Sequence, residues 1–410
     1  VSDFFDALET RDPVAREAAL MAALPAQIAH AQVSSPAYTE QLAGVDAAAI
    51  TSRAALAALP LTRKSSLAAA QAARRALRVG GFAAGAPRRI FQSPGPLYEP
   101  EPDADAADPW RMARALHAAG IRAGQRAHVS FSYHLTPAGA MMEAGLRALG
   151  AASIPGGVGN TELQLQAVLD LQPEAYTGTP GFLRILLDKA AEGGHALTHL
   201  RRALVSGEAC PPALVAWFAE RGVDVLQCYA TADLGLIAYE TPAREGLIVD
   251  EGVIVEIVRP GSGDPLADGE VGEVVVTTLS PGYPLIRFAT GDLSAVLPGV
   301  SPCGRTNQRL RGWLGRADQS AKVRGMFVHA GQVAGILKRH PEALRARLVV
   351  SGALAQDHVV LQLEMTPGLQ DGFVESLMQT ARDLTKLRVE VEVLPAGSLP
   401  NDGKLIEDRR

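Results

Sequence analysis

The chain has 410 residues, 47% hydrophobic and 20% charged, with a formal net charge of −5. This is a globular composition with room for two or three domains and a large core. With no long basic run, it excludes a nucleic-acid or anionic-membrane partner held by charge.

Three cysteines, Cys210, Cys228 and Cys303, are odd in number and far apart. That spacing argues against a disulfide framework and a local zinc site, and points to a reducing cytoplasm. The first ten residues, VSDFFDALET, include acids and no long apolar core, which reads against a signal peptide. No run of eighteen apolar residues is present to span a bilayer. Basic residues are mostly arginine, so each of the six lysines, Lys64, Lys189, Lys322, Lys338, Lys386 and Lys404, draws attention to its position.

Residues 1–87 read as a helical N-terminal part. DPVAREAALMAALPAQIAHAQ and DAAAITSRAALAAL are alanine-rich helical patterns with starts at Asp12-Pro13 and Asp46. Over 88–245 strand and helix patterns alternate, from RRIFQ and DPWRMARALHAAG to PPALVAWFAERG and VDVLQCYA. Such alternation predicts an α/β fold with a mostly parallel, helix-covered sheet. In such sheets ligands lie beyond the carboxyl ends of the strands. The turns SPGP, PGGVGNTE, TGTP, SGEAC and YATADLG all fall there. Residues 246–315 turn to short strands, including YPLIRFAT, and predict an antiparallel β subdomain. Residues 316–410 predict a small α+β C-terminal domain.

Taken singly, the polar motifs have ordinary readings. YATADLG (229–235) offers a ring, a hydroxyl and a carboxylate, or equally a helix start with Asp233 at its N-terminus. Thr290-Gly291-Asp292 reads as a turn, GRADQSAKVRG (315–325) as a solvated hairpin, and PNDGKLIEDRR (400–410) as a polar tail. His134 is a lone histidine at a strand end.

Their order says more. Strand-end YATAD, then YPLIRFATGD, then GRADQSAKVRG, then a small domain closing on GK resembles the acyl-adenylate-forming (AMP-binding) enzymes, within them the phenylacetate–coenzyme A ligase group. ALPLTRKSSL (58–67), the segment 149–186, SGEAC (206–210) and RGWLGRADQSAKVRGMFVHAGQV (311–333) add to the match, which spans essentially the whole chain. The resemblance implies a large domain over 1–315 and a small mobile domain over 316–410. It implies ATP-dependent conversion of a carboxylic acid to an acyl-AMP, followed by transfer to coenzyme A. Charge accumulates on the α-phosphate, so a cation must reach it. Water must be kept from the reactive anhydride, and a magnesium ion needs oxygen ligands.

By the same resemblance Asp292 accepts from the ribose hydroxyls, Tyr229 stacks on adenine, and Thr231 contacts the α-phosphate. Asp233 takes the place of a metal-binding glutamate. Arg316 and Lys322 approach the nucleotide, Asp318 is the hinge, and Lys404 serves the adenylation step. Ser206, Gly207, Glu208 and Ala230 complete the nucleotide site, and Arg287 is left to packing or an ion pair. The acid pocket is expected near Phe131, Tyr133, His134, Gly156 and Gly157, for a small aromatic acid. No nucleic-acid or membrane partner is expected; a homodimer is compatible with the resemblance.

One segment departs from the pattern. A Ser/Thr/Gly-rich loop ending in lysine would wrap the terminal phosphates, but FQSPGPLYEPEPDADAADP (91–109) stands in its place. Ser93 and Gly95 remain, while Pro94 and Pro96 lack N–H donors and Glu99, Glu101, Asp103 and Asp105 add negative charge. Arg88, Arg89 or Lys64 could supply the missing cation. Two other readings therefore stay open: transfer of the acyl group to an amine or carrier protein, and adenylate binding without catalysis.

Overall fold

Helix α1 (Pro13–Ser34) begins where the Asp12 carboxylate accepts from the Ala15 N–H and Pro13 sets the first turn. The computed structural model describes residues 3–74, 78–84, 87–93, 96–259, 262–317, 320–323, 326–352, 357–365, 372–400 and 404–410. After α1 come α2 (Pro36–Gln41), α3 (Arg53–Ala57) and α4 (Lys64–Ala73). The stretch from Asp46, expected as one helical pattern, is split in two. Asp46 caps a short 3-10 turn, and Ser52 restarts the helix by accepting from the Ala55 N–H.

A short strand β1 (Thr62–Arg63) precedes α4, and a hairpin β2 (Ile90–Ser93) and β3 (Leu97–Pro100) follows it. The alternating region then runs α5 (Met112–Ala118), β4 (Arg126–Val129), α6 (Ala138–Leu149), β5 (Ala152–Pro155), α7 (Thr161–Leu171), β6 (Ala175–Gly178), α8 (Pro180–Glu192), β7 (Arg202–Val205), α9 (Pro212–Ala219) and β8 (Asp224–Thr231). Strands β9 (Gly235–Glu240), β10 (Leu247–Val249), β11 (Val253–Val258), β12 (Gly272–Thr278), β13 (Phe288–Ser294), β14 (Val296–Leu297) and β15 (Arg309–Leu310) complete the first of two compact units, Val1–Leu314.

The larger sheet has the order β14-β15-β10-β9-β8-β7-β6-β4-β5. Neighbours from β8 to β5 are parallel, and those from β8 to β14 are antiparallel. Strand β10, expected in the β subdomain, therefore belongs to this sheet. Its helices α5 and α6 cover a core that includes Trp110, Met112, Leu116, Val129, Leu146 and Leu204. A second sheet runs β1-β13-β12-β11. It shares a core with the N-terminal helices through Leu24, Ile28, Tyr38, Leu56, Ile254 and Phe288. Each such side chain contributes about 1.5–3 kcal/mol by leaving water.

Two expectations about YPLIRFATGDL are corrected. The strand starts at Phe288, not Tyr283, because Arg287 has φ 44° and turns the chain. Thr290-Gly291-Asp292 is not a turn at a strand end. It lies inside β13, where Ala289 faces Val275 and Leu293 faces Glu273, so three residues stand opposite the single Val274. This is a bulge, and Gly291 at φ 77° supplies the left-handed backbone it needs.

The second compact unit, Gly315–Arg410, contains β16 (Gly315–Arg316), the hairpin β17 (Ser320–Val323) and β18 (Met326–His329), and α10 (Ala330–Arg339). Strands β19 (Ala343–Ser351) and β20 (His358–Met365), helix α11 (Phe373–Thr385), β21 (Glu390–Pro395) and β22 (Ile406–Asp408) complete it. Its sheet has the order β21-β20-β19-β22, and Ile336, Leu348, Leu361, Leu363 and Leu377 form its core.

Candidate active site

Because β4 to β8 are parallel, their carboxyl ends meet at one edge of the larger sheet. Ser130 and Phe131 follow β4, Gly156 and Gly157 follow β5, and Ser206, Gly207 and Glu208 follow β7. Ser206 Oγ donates to the Cys228 carbonyl at 2.9 Å, and the Glu208 carboxylate accepts from the Gly181 N–H at 3.3 Å. Strand β8 ends in Tyr229, Ala230 and Thr231. YATADLG is a strand–turn–strand, so its helix-start reading is overturned: β8 pairs antiparallel with β9, and Thr231 Oγ1 accepts from the Leu234 N–H at 3.1 Å across the turn.

The bulge of β13 brings Asp292 to this edge. Its Oδ2 accepts from the Tyr229 hydroxyl at 2.7 Å, and its Oδ1 from Trp313 Nε1 at 3.0 Å. Thr290 Oγ1 accepts from the Asp292 N–H at 3.1 Å and from the Tyr229 hydroxyl at 3.2 Å. Each carboxylate oxygen has more than one lone pair, so the pair of oxygens can still accept from two adjacent hydroxyls. Trp313 is a member of the site that the sequence did not reveal.

Below the turn after β8 lies a buried polar cluster. The Asp233 carboxylate pairs with the Lys64 ammonium, Nζ to Oδ2 2.5 Å. Glu99, on β3, is fully buried and accepts from Ser93 Oγ across the hairpin. The Glu99 and Asp233 carboxyl groups lie within hydrogen-bonding reach of each other, and burial with the Asp233 charge pushes Glu99 up to about 9. Burial and the same two acids also raise Tyr283, whose hydroxyl has no partner among the described residues. Glu99, counted in the sequence as added negative charge near the loop, is thus a buried group.

The other two candidate cations are committed elsewhere. Arg88 pairs with Asp105 at 2.6 Å and donates to the Ala104 carbonyl. Arg89 pairs with Glu101 and lies over the rings of Phe91 and Trp110. Lys64 is the candidate that meets Asp233. Gly95 lies outside the described residues.

Phe131 is buried, Tyr133 is half-buried, and His134 is exposed. Burial and Glu143 raise the Tyr133 phenol. Behind the β5 loop, the Gln164 amide donates to the Gly157 and Gly159 carbonyls at 3.1 and 2.6 Å. Those two donations orient the amide, so its oxygen accepts from His128 Nε2 at 2.8 Å and Ser130 Oγ at 3.1 Å. His128 Nε2 then carries a proton, and burial lowers the pKa of the ring. A Cβ on Gly156 would stand 2.6 Å from Gln164 Oε1, so only glycine fits there. His128, Ser130 and Gln164 were also absent from the expected site. Their signal was weak, since polar residues at a strand end and on a helix look alike whether they support a loop or face water.

In the second unit, Arg316 lies on β16, Lys322 lies on β17, and Lys404 is exposed just before β22. Asp318 lies outside the described residues.

Comparisons with known proteins match this arrangement. Residues 133–283 match the family described as AMP-binding enzyme. The chain is 29% identical over 324 residues to phenylacetate-coenzyme A ligase of Thermus thermophilus, covering 72% of this chain and 73% of the relative. Residues 133–283 thus carry an AMP-binding enzyme domain, and the chain is similar to phenylacetate–coenzyme A ligases over most of its length. Phenylacetate-coenzyme A ligase of Escherichia coli is 33% identical over 231 residues, which is 54% of this chain and 52% of that relative. The fold is similar to that of 2-hydroxyisobutyryl-CoA ligase in complex with 2-HIB-AMP and CoA, with a TM-score of 0.79, 22% identity, and coverage of 99% and 92% of the two chains.

Proposed function

We propose that this chain is an AMP-forming ligase that joins a small, aromatic, phenylacetate-like carboxylic acid to coenzyme A. The observation that carries the reading is Asp292, set by a bulge at the carboxyl edge of the parallel strands and oriented by Tyr229 and Trp313. In the first half-reaction an acid oxygen attacks the α-phosphorus of ATP, and the bond to the bridging oxygen breaks as pyrophosphate leaves. In the second, the coenzyme A sulfur attacks the acyl carbon, and AMP leaves with the bonding electrons.

In this reading Asp292 holds the ribose, the Tyr229 ring lies against adenine, and Thr231 meets the α-phosphate. Ser206, Gly207, Glu208 and Ala230 line the nucleotide, while Ser93 and Gly95 keep part of the phosphate loop. Phe131, Tyr133, His134, Gly156 and Gly157 line the acid pocket. Lys404 reaches the α-phosphate in the first half-reaction, Arg316 and Lys322 serve the nucleotide, and rotation near Asp318 exchanges the two half-reactions. The division of labour follows 1–315 and 316–410.

A magnesium ion suits the cluster around Asp233. The donors are all oxygen, and Glu99 Oε2 and Asp233 Oδ1 are buried without a hydrogen-bond donor among the described residues. A hard cation held by one or two carboxylates and substrate phosphates would be satisfied there. When bound, such an ion neutralises phosphate charge. No described helix is long and apolar enough to cross a membrane. We place the enzyme in the cytoplasm, a reading that three unpaired cysteines support.

The test is pyrophosphate release from ATP with a panel of small acids, followed by addition of coenzyme A. Release with an aromatic acid and formation of its thioester are expected. Release without a thioester transfers the reading to an amine or carrier-protein acceptor. No release with any acid leaves adenylate binding as the function.

A further inference from the structure

Glu99 stands where the phosphate loop of this chain has lost its threonines and lysine. The β2–β3 hairpin, with Ser93 opposite Leu97 and Phe91 opposite Glu99, carries the Glu99 carboxyl into the core beside Asp233. Ser93 Oγ occupies Glu99 Oε1. Glu99 Oε2 and Asp233 Oδ1, both on side chains at least nine-tenths buried, have no hydrogen-bond donor among the described residues. Two buried carboxyls in reach of one another repel when both are ionised, unless a proton or a cation lies with them. One cation is already at the pair, since the Lys64 ammonium is 2.5 Å from Asp233 Oδ2. The Lys64 side chain is part-exposed, while that of Asp233 is fully buried.

We propose that Glu99 is, with Asp233, a ligand of the divalent cation that accompanies the nucleotide, and that the Lys64 ammonium holds this position when the cation is absent. A lysine and a metal ion meet the same need here, which is positive charge against buried oxygens. A short loop poor in N–H donors binds phosphate weakly by itself. Two carboxylates that anchor the metal supply a second hold on the same phosphates. Asp233 has one methylene fewer than a glutamate, and Glu99, from β3, adds a longer arm to the pair.

The proposal rests on the ligase reading for its nucleotide, but the experiment needs neither ATP nor acid, so the two can fail separately. Mn2+ is titrated into the nucleotide-free protein while the electron paramagnetic resonance signal of the free ion is followed. The native chain is compared with Glu99→Gln, Asp233→Asn and Lys64→Met. Glu99→Gln and Asp233→Asn are each expected to weaken Mn2+ binding at least about tenfold. Lys64→Met is expected to tighten it, because the competing ammonium is gone. Thermal unfolding with and without Mn2+ serves as the check on folding. Glu99→Gln should remain folded, because the amide has the shape of the carboxyl it replaces, and it should lose the stabilisation that Mn2+ gives the native chain. A folded Glu99→Gln that binds Mn2+ as the native chain does overturns the assignment. So does an absence of Mn2+ binding in both the native chain and Lys64→Met.

Discussion

Asp292 owes its position to three side chains from different parts of the sequence: Tyr229 at the end of β8, Thr290 in the same bulge, and Trp313. The carboxylate was singled out through the resemblance, since Thr-Gly-Asp taken alone reads as a turn. Trp313 was not, since its contact depends on a fold-back that no local pattern encodes. The burial of Glu99 was not legible for a similar reason. Its neighbours Glu101, Asp103 and Asp105 look like a solvated acidic run, and only the hairpin register buries it. Replacing Asp292 with Ala should weaken nucleotide binding by about 1.5–3 kcal/mol for each charge-assisted hydrogen bond lost. Calorimetry with ATP and, separately, with the acid checks this; the acid affinity should stay nearly unchanged. His128 gives a second expectation. Its pKa is lowered in the fold from the ordinary 6.5, so between that value and its folded value the unfolded chain binds the extra proton. Stability is present above about pH 6.5 and is lost as pH falls through the folded value. His128→Asn should show a shallower fall in thermal midpoint over that acid range than the native chain.

Among the elements, the turn before β13 shows why a guanidinium sits in an apolar stretch. Arg287 is buried, and its Nε donates to Glu256 at 3.1 Å. Its other nitrogens donate to the carbonyls of Ala57 and Leu59 at 2.6 Å and of Gly263 at 2.9 Å. One side chain therefore ties the end of α3, strand β11 and the β11–β12 connection to the start of β13. Removing one partner of a buried pair leaves the other charge unpaired, at a cost of about 3–5 kcal/mol. Arg287→Ala should lower the unfolding free energy obtained from urea titration by an amount of that order, and its ATP affinity should fall only where unfolding begins. The alternation of strands and helices from β4 to β8 was legible because each has its own hydrophobic period. The antiparallel half of the larger sheet was not. Strands β10, β14 and β15 have two or three residues each, too few to carry a period, and their pairing is settled by neighbours far away in sequence.

For the whole molecule, the order of motifs carried more than any one of them, since polar turns recur in every fold. The proposed roles are spread over both compact units, with Asp292, Tyr229 and Thr231 in the first and Lys404 in the second. A charge supplied by the second unit can serve one half-reaction and be absent from the other. Lys404→Ala should abolish acyl-AMP formation and leave thioester formation from supplied acyl-AMP largely intact. Assaying both half-reactions separately checks this. Equal loss in both would make Lys404 a residue of general structural importance.

The bulge in β13 inserts two residues more than its partner strand has opposite Val274. Two is an even number, and strand side chains alternate with a period of two. The residues before and after the bulge therefore keep the faces they would have had in an unbroken ladder, and the core beneath does not register the insertion. Chains could gain or lose such a pair of residues in one step without turning a strand inside out. The proposed ribose-binding carboxylate is in this sense a removable graft, carried by an insertion that leaves the register of the sheet on either side unchanged.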